Sequence, residues 1–243
     1  MSKVAFITGG NRGIGFETAK ALGAQGIDLI IGCRDLAKGQ AAAKELQAMG
    51  FKAEAIAYDA NDEKSPDSVY NFIEKKYGEL DILINNAGMI TEALVGKNSS
   101  SSVSQAVIQQ TFHTNLFAVV ALTQKLLPLL KKSAAGRIVN LSSIVGSLTL
   151  QSMEKSPIDP AKAFAYNASK TALNVYTIHL AHELKDTKIK VNSAHPGWVK
   201  TELGGPHGQM EIADSYKTSL RLATLDSDGP TGGFFHEANA LPW

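Results

Sequence analysis

Val4-Ala5-Phe6-Ile7-Thr8-Gly9-Gly10-Asn11-Arg12-Gly13-Ile14-Gly15 is a short apolar run that passes directly into a glycine-rich turn. The run Val4–Thr8 is dense in apolar side chains, as a strand buried on both faces requires. A helical pattern containing Glu17 to Ala24 follows the turn. Glycines at 9, 13 and 15 permit a sharp bend, close approach to a pyrophosphate and tight packing of helix on strand. The helix N-terminus adds free N–H groups and a partial positive charge. Asn11, Arg12 and Ile14 lie within the same expected phosphate contact. A bare strand-to-helix turn is the plain alternative, because the spacing is G-x-x-x-G-x-G rather than the G-x-G-x-x-G of other dinucleotide folds.

Beyond this turn, apolar runs alternate with helical patterns almost to the end of the chain, the signature of βαβ units feeding a parallel sheet. Seven strands are expected: Val4–Thr8, Asp28–Cys33, Ala53–Tyr58, Ile82–Asn85, Arg137–Ser142, Lys190–Ala194 and one near Gly233–Phe235. Between them, Leu36–Met49 reads as a helix with Ala42, Leu46 and Met49 on one face and Asp35 as its cap. A helix after Pro66 carries Val69, Phe72, Ile73 and Tyr77 on one side. A long helix is expected from about Val103 to Lys131, bent or ended early at Pro128, after a solvated loop at Asn98–Ser102. Right-handed crossovers put helices on both faces of a doubly wound α/β sheet, with ligands at the carboxyl ends of the strands.

The bulk numbers bound the function. A chain of 243 residues, 44% hydrophobic and 19% charged, has ordinary globular composition, so a single domain over 1–243 is expected. A formal net charge of +1 supplies no field to recruit nucleic acid or an acidic membrane. Cys33 is the only cysteine, which excludes an intrachain disulfide and a multi-thiolate metal site, and no metal is expected. Met1 to Lys3 run straight into the first strand and no stretch is long enough to span a bilayer, so a cytoplasmic location is expected. His182-Glu183 lacks a second histidine at the position of Asp186, so a zinc-protease helix is not supported, and no Gly-x-Ser-x-Gly elbow occurs in Asn140–Gly146. His179, His182 and His207 read as surface or packing residues.

Several strand ends carry polar residues suited to a ligand. Asp59, with Ala60 beside it, ends the third strand, where a carboxylate could accept from an adenine amino group or simply form a turn. Asn85-Asn86-Ala87-Gly88 ends the fourth, small and polar beside a flat ligand, or merely satisfying backbone. Asn140-Leu141-Ser142-Ser143 ends the fifth, and since side chains alternate faces only one serine should meet the substrate. Asn115 is a polar residue within a long apolar helix, where burial demands partners and often marks a local break. Tyr166 and Lys170 lie four apart on one helical face. A phenol of reference pKa near 10 needs a neighbouring cation to bring it toward neutral-pH proton chemistry, and lysine provides one. Chance pairing on an amphipathic helix is the alternative for this pair taken alone.

Taken in order, these motifs resemble the short-chain dehydrogenase/reductase family from Thr8 to about Thr201, with the closest look to its carbonyl reductases. Thr8–Gly15 matches the cofactor turn, Asn85–Gly88 the NNAG segment, Asn115, Ser143, Tyr166 and Lys170 the catalytic tetrad, and Pro196-Gly197-Trp198-Val199 the segment after the sixth strand. The resemblance implies a Rossmann-type fold and a reductase that takes a small-molecule carbonyl substrate. In that reaction Ser143 holds the carbonyl, Tyr166 donates the proton, Lys170 binds nicotinamide ribose and Asn115 positions a water. It also implies that Pro196, Gly197, Val199 and Thr201 lie at the nicotinamide end. Trp198 is read as a substrate-facing wall, within a substrate-side segment at about 196–215. Ser143 and Tyr166 are 23 residues apart, longer than the family's common form and shorter than in its monomeric carbonyl reductases. The extra segment, about 148–162, is expected to form a lid or rim over the pocket, a solvated decoration being the alternative. The family's dimer faces imply a homo-oligomer, against the monomer of some carbonyl reductases. Alcohol oxidation and a catalytically weak nucleotide-binding regulator are the competing functions.

The second strand end argues for NADPH/NADP+ as cofactor. An acidic residue there would accept from the adenosine ribose hydroxyls and repel a 2′-phosphate. This chain has Cys33 followed by Arg34, with Arg12 in the glycine turn and Lys38 nearby, all cations able to bind phosphate. Asp35 is expected to cap the following helix rather than claim the ribose.

Overall fold

The computed structural model describes residues 2–96, 98–205 and 208–243, so His207 lies outside the described residues. One eight-stranded sheet in the order β3-β2-β1-β4-β5-β6-β7-β8 forms the centre. Its strands are β1 (Val4–Thr8), β2 (Asp28–Cys33), β3 (Ala53–Ala57), β4 (Ile82–Asn85), β5 (Arg137–Leu141), β6 (Lys190–Ala194), β7 (Phe234–His236) and β8 (Asn239–Ala240). The first seven pair in parallel and β8 is antiparallel to β7. β8 is the strand beyond the expected seven. It is only two exposed residues long, too short to show an alternating pattern, and it blunts the sheet edge that β7 would otherwise present.

Alternate residues of β1 feed opposite cores, Val4 and Phe6 into one and Ala5 and Ile7 into the other. That arrangement explains why the strands read as continuous apolar runs: helices cover both faces. The helices are α1 (Gly13–Gly23), α2 (Leu36–Ala48), α3 (Ser65–Lys76), α4 (Gln105–Phe112), α5 (Ala118–Leu130), α6 (Leu148–Ser152), α7 (Phe164–Glu183) and α8 (Lys217–Ala223). Asp35 caps α2 as its sequence implies, accepting from the Lys38 backbone N–H at 3.2 Å, a contact of about 1 kcal/mol in such caps. None of the helices among the described residues is long and apolar enough to cross a membrane.

The single long helix expected over Val103–Lys131 is in fact α4 and α5 joined by a π-helical turn at His113–Phe117. Pro128 neither bends α5 sharply enough to end it nor costs it a buried hydrogen bond. Both Pro128 and Gln124, whose carbonyl loses its i+4 donor, are exposed, so water can satisfy the freed oxygen. The break falls instead at Asn115, for a reason visible at the site.

The order of strands reverses between β1 and β4, whose paired ends, Ile7 with Ile84, place the glycine turn beside the Asn85–Gly88 segment. In doubly wound sheets this is where ligands bind.

Candidate active site

The glycine turn leaves β1 with Gly9 at φ +64° and Gly13 at φ +55°, a left-handed region closed to most side chains. Gly15 is needed for space: an added Cβ would lie 2.5 Å from both the Gly9 carbonyl oxygen and Asn86 Nδ2. At Gly13 an added Cβ would meet only Thr201 Cγ2 at 3.9 Å, so the volume between turn and Thr201 is open. Helix α1 begins here with no side-chain cap on its first N–H groups. An open cradle with uncapped amides fits a pyrophosphate. Asn11 and Ile14 are half-buried on its rim.

Asn86 holds the cradle together. Its Nδ2 donates to Thr8 O at 2.8 Å and Gly9 O at 3.3 Å, while the amides of Asn86 and Ala87 donate to Thr8 Oγ1 at 3.0 and 2.9 Å. Gly88 follows, exposed, with an added Cβ 3.4 Å from Asn115 Oδ1 and 3.6 Å from Lys170 Nζ. Asp59 is half-buried and uses Oδ1 for the Asn61 backbone and side-chain N–H groups at 3.0 and 3.2 Å, as a turn former does. The adjacent Ala60 carbonyl bonds His113 Nε2 at 3.0 Å.

Arg34 is exposed and makes no ion pair among the described residues, and Lys38 Nζ lies 3.7 Å from Asp35. Arg12 departs from the simple expectation. Its guanidinium pairs with Glu202, from the segment after β6, and both side chains are exposed. A pair in that setting contributes at most about 1 kcal/mol, so a phosphate can displace it.

Three of the four expected catalytic residues meet on one cavity of about 200 Å³ at the carboxyl edge of β5 and β6: Ser143, Tyr166 and Lys170. Pro196, Gly197, Trp198, Val199 and Thr201 line the same cavity. Trp198 Nε1 donates to Gly204 O at 2.8 Å, which fixes the indole as part of the wall. Both serines lie just beyond β5 and both line the cavity, Ser142 only 2% exposed with Oγ 3.5 Å from Lys170 O and Ser143 the more open of the two.

Tyr166 and Lys170 project from α7, with Lys170 Nζ 5.7 Å from the phenol ring centroid and donating to Leu141 O at 2.7 Å. The lysine does not bring the phenol down, however. Burial pushes the Tyr166 hydroxyl up to about 12, with the nearby Ser143 hydroxyl offsetting part of the rise, and burial drives the Lys170 ammonium down to about 8. Desolvation outweighs the attraction expected from spacing alone.

Asn115 stands behind this wall, fully buried in the π turn. Its Nδ2 donates to Met89 O at 2.9 Å and Ser169 Oγ at 3.0 Å, and its Oδ1 accepts from Met89 N at 2.9 Å. Both N–H groups of the amide are used in joining the β4 loop to α7, which leaves one lone pair of Oδ1 and the backbone carbonyl as the groups with which Asn115 could hold a water. This three-way demand accounts for the π turn, which re-aims one side chain inside a helix.

Of the lid or rim expected over 148–162, the part from 157 to 161 is built into the cavity wall. Pro157, Ile158, Pro160 and Ala161 line the cavity, and Ile158 is buried with Val145, Ala163 and Tyr166. Two residues escaped the sequence reading. Glu92 accepts from the Tyr166 backbone N–H at 3.0 Å and so stabilises the first turn of α7. His195, which lines the cavity just before Pro196-Gly197, is buried. Its position at a strand end was the available signal; nothing in the sequence marks Glu92. His179 and His182 are exposed.

A family model described as short chain dehydrogenase matches residues 3–212. Salutaridine reductase of Papaver bracteatum is 31% identical over 303 residues, covering 98% of this chain and 95% of that protein. Carbonyl reductase [NADPH] 1 of Homo sapiens is 31% identical over 278 residues, covering 99% and 98%. Both alignments exceed the 243 residues of this chain, so those relatives carry segments it lacks. The NADPH-bound carbonyl reductase from chicken fatty liver superimposes with a TM-score of 0.84 at 27% identity, covering 100% of this chain and 99% of that one.

Proposed function

Since this chain belongs to the short chain dehydrogenase family, we propose that it is an NADPH-dependent carbonyl reductase in which Tyr166 is the proton donor. The observation that carries this reading is the meeting of Ser143, Tyr166 and Lys170 on one apolar-walled cavity beside the phosphate cradle. NADPH, when bound, supplies the hydride.

The cradle of Gly9, Gly13 and Gly15 with the α1 N-terminus holds the pyrophosphate, and Arg34, Arg12 and Lys38 face the 2′-phosphate. Lys170 holds the nicotinamide ribose, with Val199 and Thr201 at the nicotinamide end. Ser143 donates to the substrate carbonyl oxygen and orients it toward the Tyr166 hydroxyl, which protonates that oxygen as the carbonyl is reduced. Burial pushes the phenol hydroxyl up to about 12, so it carries the proton that reduction requires, and in the reverse reaction the same oxygen would take that proton back. Pro157, Ile158, Pro160, Ala161 and Trp198 give the substrate a largely apolar wall to pack against.

The pH profile tests the assignment. With Lys170 at about 8, its ammonium is charged below that value and lost as pH rises through it, whereas Tyr166 remains protonated. The expected kcat/KM for NADPH, which reports the free enzyme, is flat on the acid side and falls about tenfold per pH unit above about 8. A profile that climbs with pH through that window contradicts Tyr166 as acid and favours a phenolate base.

A further inference from the structure

We infer that His195 is a specificity-determining hydrogen-bond donor in the cavity, offering its Nε2–H to a second, neutral oxygen of the carbonyl substrate. This rests on the carbonyl-reductase reading of the same cavity. His195 follows β6 directly, is 8% exposed and lies on the cavity wall. Its Nδ1 accepts from the Ile144 backbone N–H at 3.3 Å, so in the neutral ring the proton sits on Nε2. Neutrality is enforced by burial, with help from the adjacent His236, which together hold the imidazolium down to about 3. The two rings lie 5.0 Å apart, and His236 Nδ1 is 3.0 Å from the His195 carbonyl oxygen, which backs the ring from behind.

Each other polar side chain of the wall has a partner or an assigned role: Ser142 Oγ lies 3.5 Å from Lys170 O, and the remaining N–H groups of Lys170 are assigned to the nicotinamide ribose. Lys170 Nζ donates to Leu141 O, Trp198 Nε1 to Gly204 O, and Thr201 Oγ1 accepts from Gly204 N at 3.0 Å. Ser143 and Tyr166 are assigned to the reacting oxygen. Among the described residues His195 Nε2 has no protein hydrogen-bond partner, and the cavity that His195 lines is walled in large part by apolar side chains, among them Leu94, Val95, Ile144 and Leu203. A donor left unpaired in an apolar cavity favours a substrate that brings an acceptor and penalises one that does not. An uncharged donor with no second free cation in the wall selects a neutral acceptor over a carboxylate or phosphate. The substrate class is therefore a neutral dioxygenated carbonyl compound: a diketone, hydroxyketone or quinone.

Two variants separate recognition from support of the Ile144 backbone. Asparagine places Oδ1 where Nδ1 lies, keeping the acceptor for Ile144 N–H, but has no atom at the Nε2 position. Glutamine restores an N–H near Nε2 and loses the Nδ1 acceptor. With NADPH and matched pairs of diketones (1,2, 1,3 and 1,4) and monoketones of the same skeleton, kcat/KM is measured for wild type, His195→Asn and His195→Gln, with Tm as a check on folding. The diketone-to-monoketone ratio should fall about tenfold or more in His195→Asn for at least one pair and be retained in His195→Gln. An unchanged ratio in His195→Asn for all pairs, or equal losses on both partners, overturns the inference. Should His195→Asn not fold, a ratio lost in a folded His195→Gln overturns it, and a ratio retained there supports it. A wild type that reduces no member of any pair refutes the reductase reading instead.

Discussion

A Tyr166→Phe variant should reduce ketones roughly 100- to 10,000-fold more slowly than wild type while binding NADPH equally well. The ring fills part of a small cluster with Val145, Ile158 and Ala163, and phenylalanine preserves that packing. The lost hydroxyl is buried, kept protonated by that burial and placed near Ser143. Binding of the cofactor depends on the glycine cradle, on Lys170 and on the 2′-phosphate cations, none of which the substitution touches. Removing a general acid acts on the barrier rather than on ground-state binding, so kcat should carry the loss and the NADPH dissociation constant should not move. Steady-state kinetics with a fluorescence titration of NADPH separates the two. Turnover within a factor of a few of wild type would rule Tyr166 out as the donor.

The second large effect concerns cofactor choice. Replacing Arg34 and Arg12 together by alanine should reduce kcat/KM for NADPH by at least tenfold and leave that for NADH within about twofold, because charged hydrogen bonds contribute roughly 1.5–3 kcal/mol each. Arg34 is free to answer a 2′-phosphate, since it has no ionic partner among the described residues and Asp35 beside it is occupied at the head of α2. Arg12 must first leave Glu202, a separation that exposed pairs make cheap. Raising ionic strength should weaken the wild-type preference in the same direction. A double variant that keeps its discrimination would mean that other groups read the phosphate.

Much of this architecture was legible because it rests on local patterns. Four strands, Val4–Thr8, Asp28–Cys33, Ile82–Asn85 and Lys190–Ala194, have the bounds their sequence implies; the first three are nearly continuous apolar runs, as strands buried on both faces are, whereas Lys190-Val191-Asn192-Ser193-Ala194 is not. The Asp35 cap was legible for the same reason, as a side chain acting three residues away. What remained hidden depends on distant partners. The π turn at Asn115 arises from contacts with Met89 and Ser169, not from any periodicity in His113–Phe117. The Arg12 pair with Glu202 spans 190 residues, and the Glu92 cap on α7 spans 74. Spacing alone points the Tyr166 hydroxyl downward, since four residues of separation brings Lys170 near; burial, on which spacing is silent, pushes it up. His195 went unnoticed since its role depends on the Ile144 amide, 51 residues away.

The most direct test of carbonyl reduction is a product balance with the wild-type protein. Incubated with NADPH and a neutral ketone or diketone, it should convert one carbonyl to one alcohol for each NADPH consumed, with NADH giving at least tenfold lower kcat/KM. NADPH bound but not consumed across ketones, aldehydes, diketones and quinones would contradict the account and leave a nucleotide-binding protein without this chemistry.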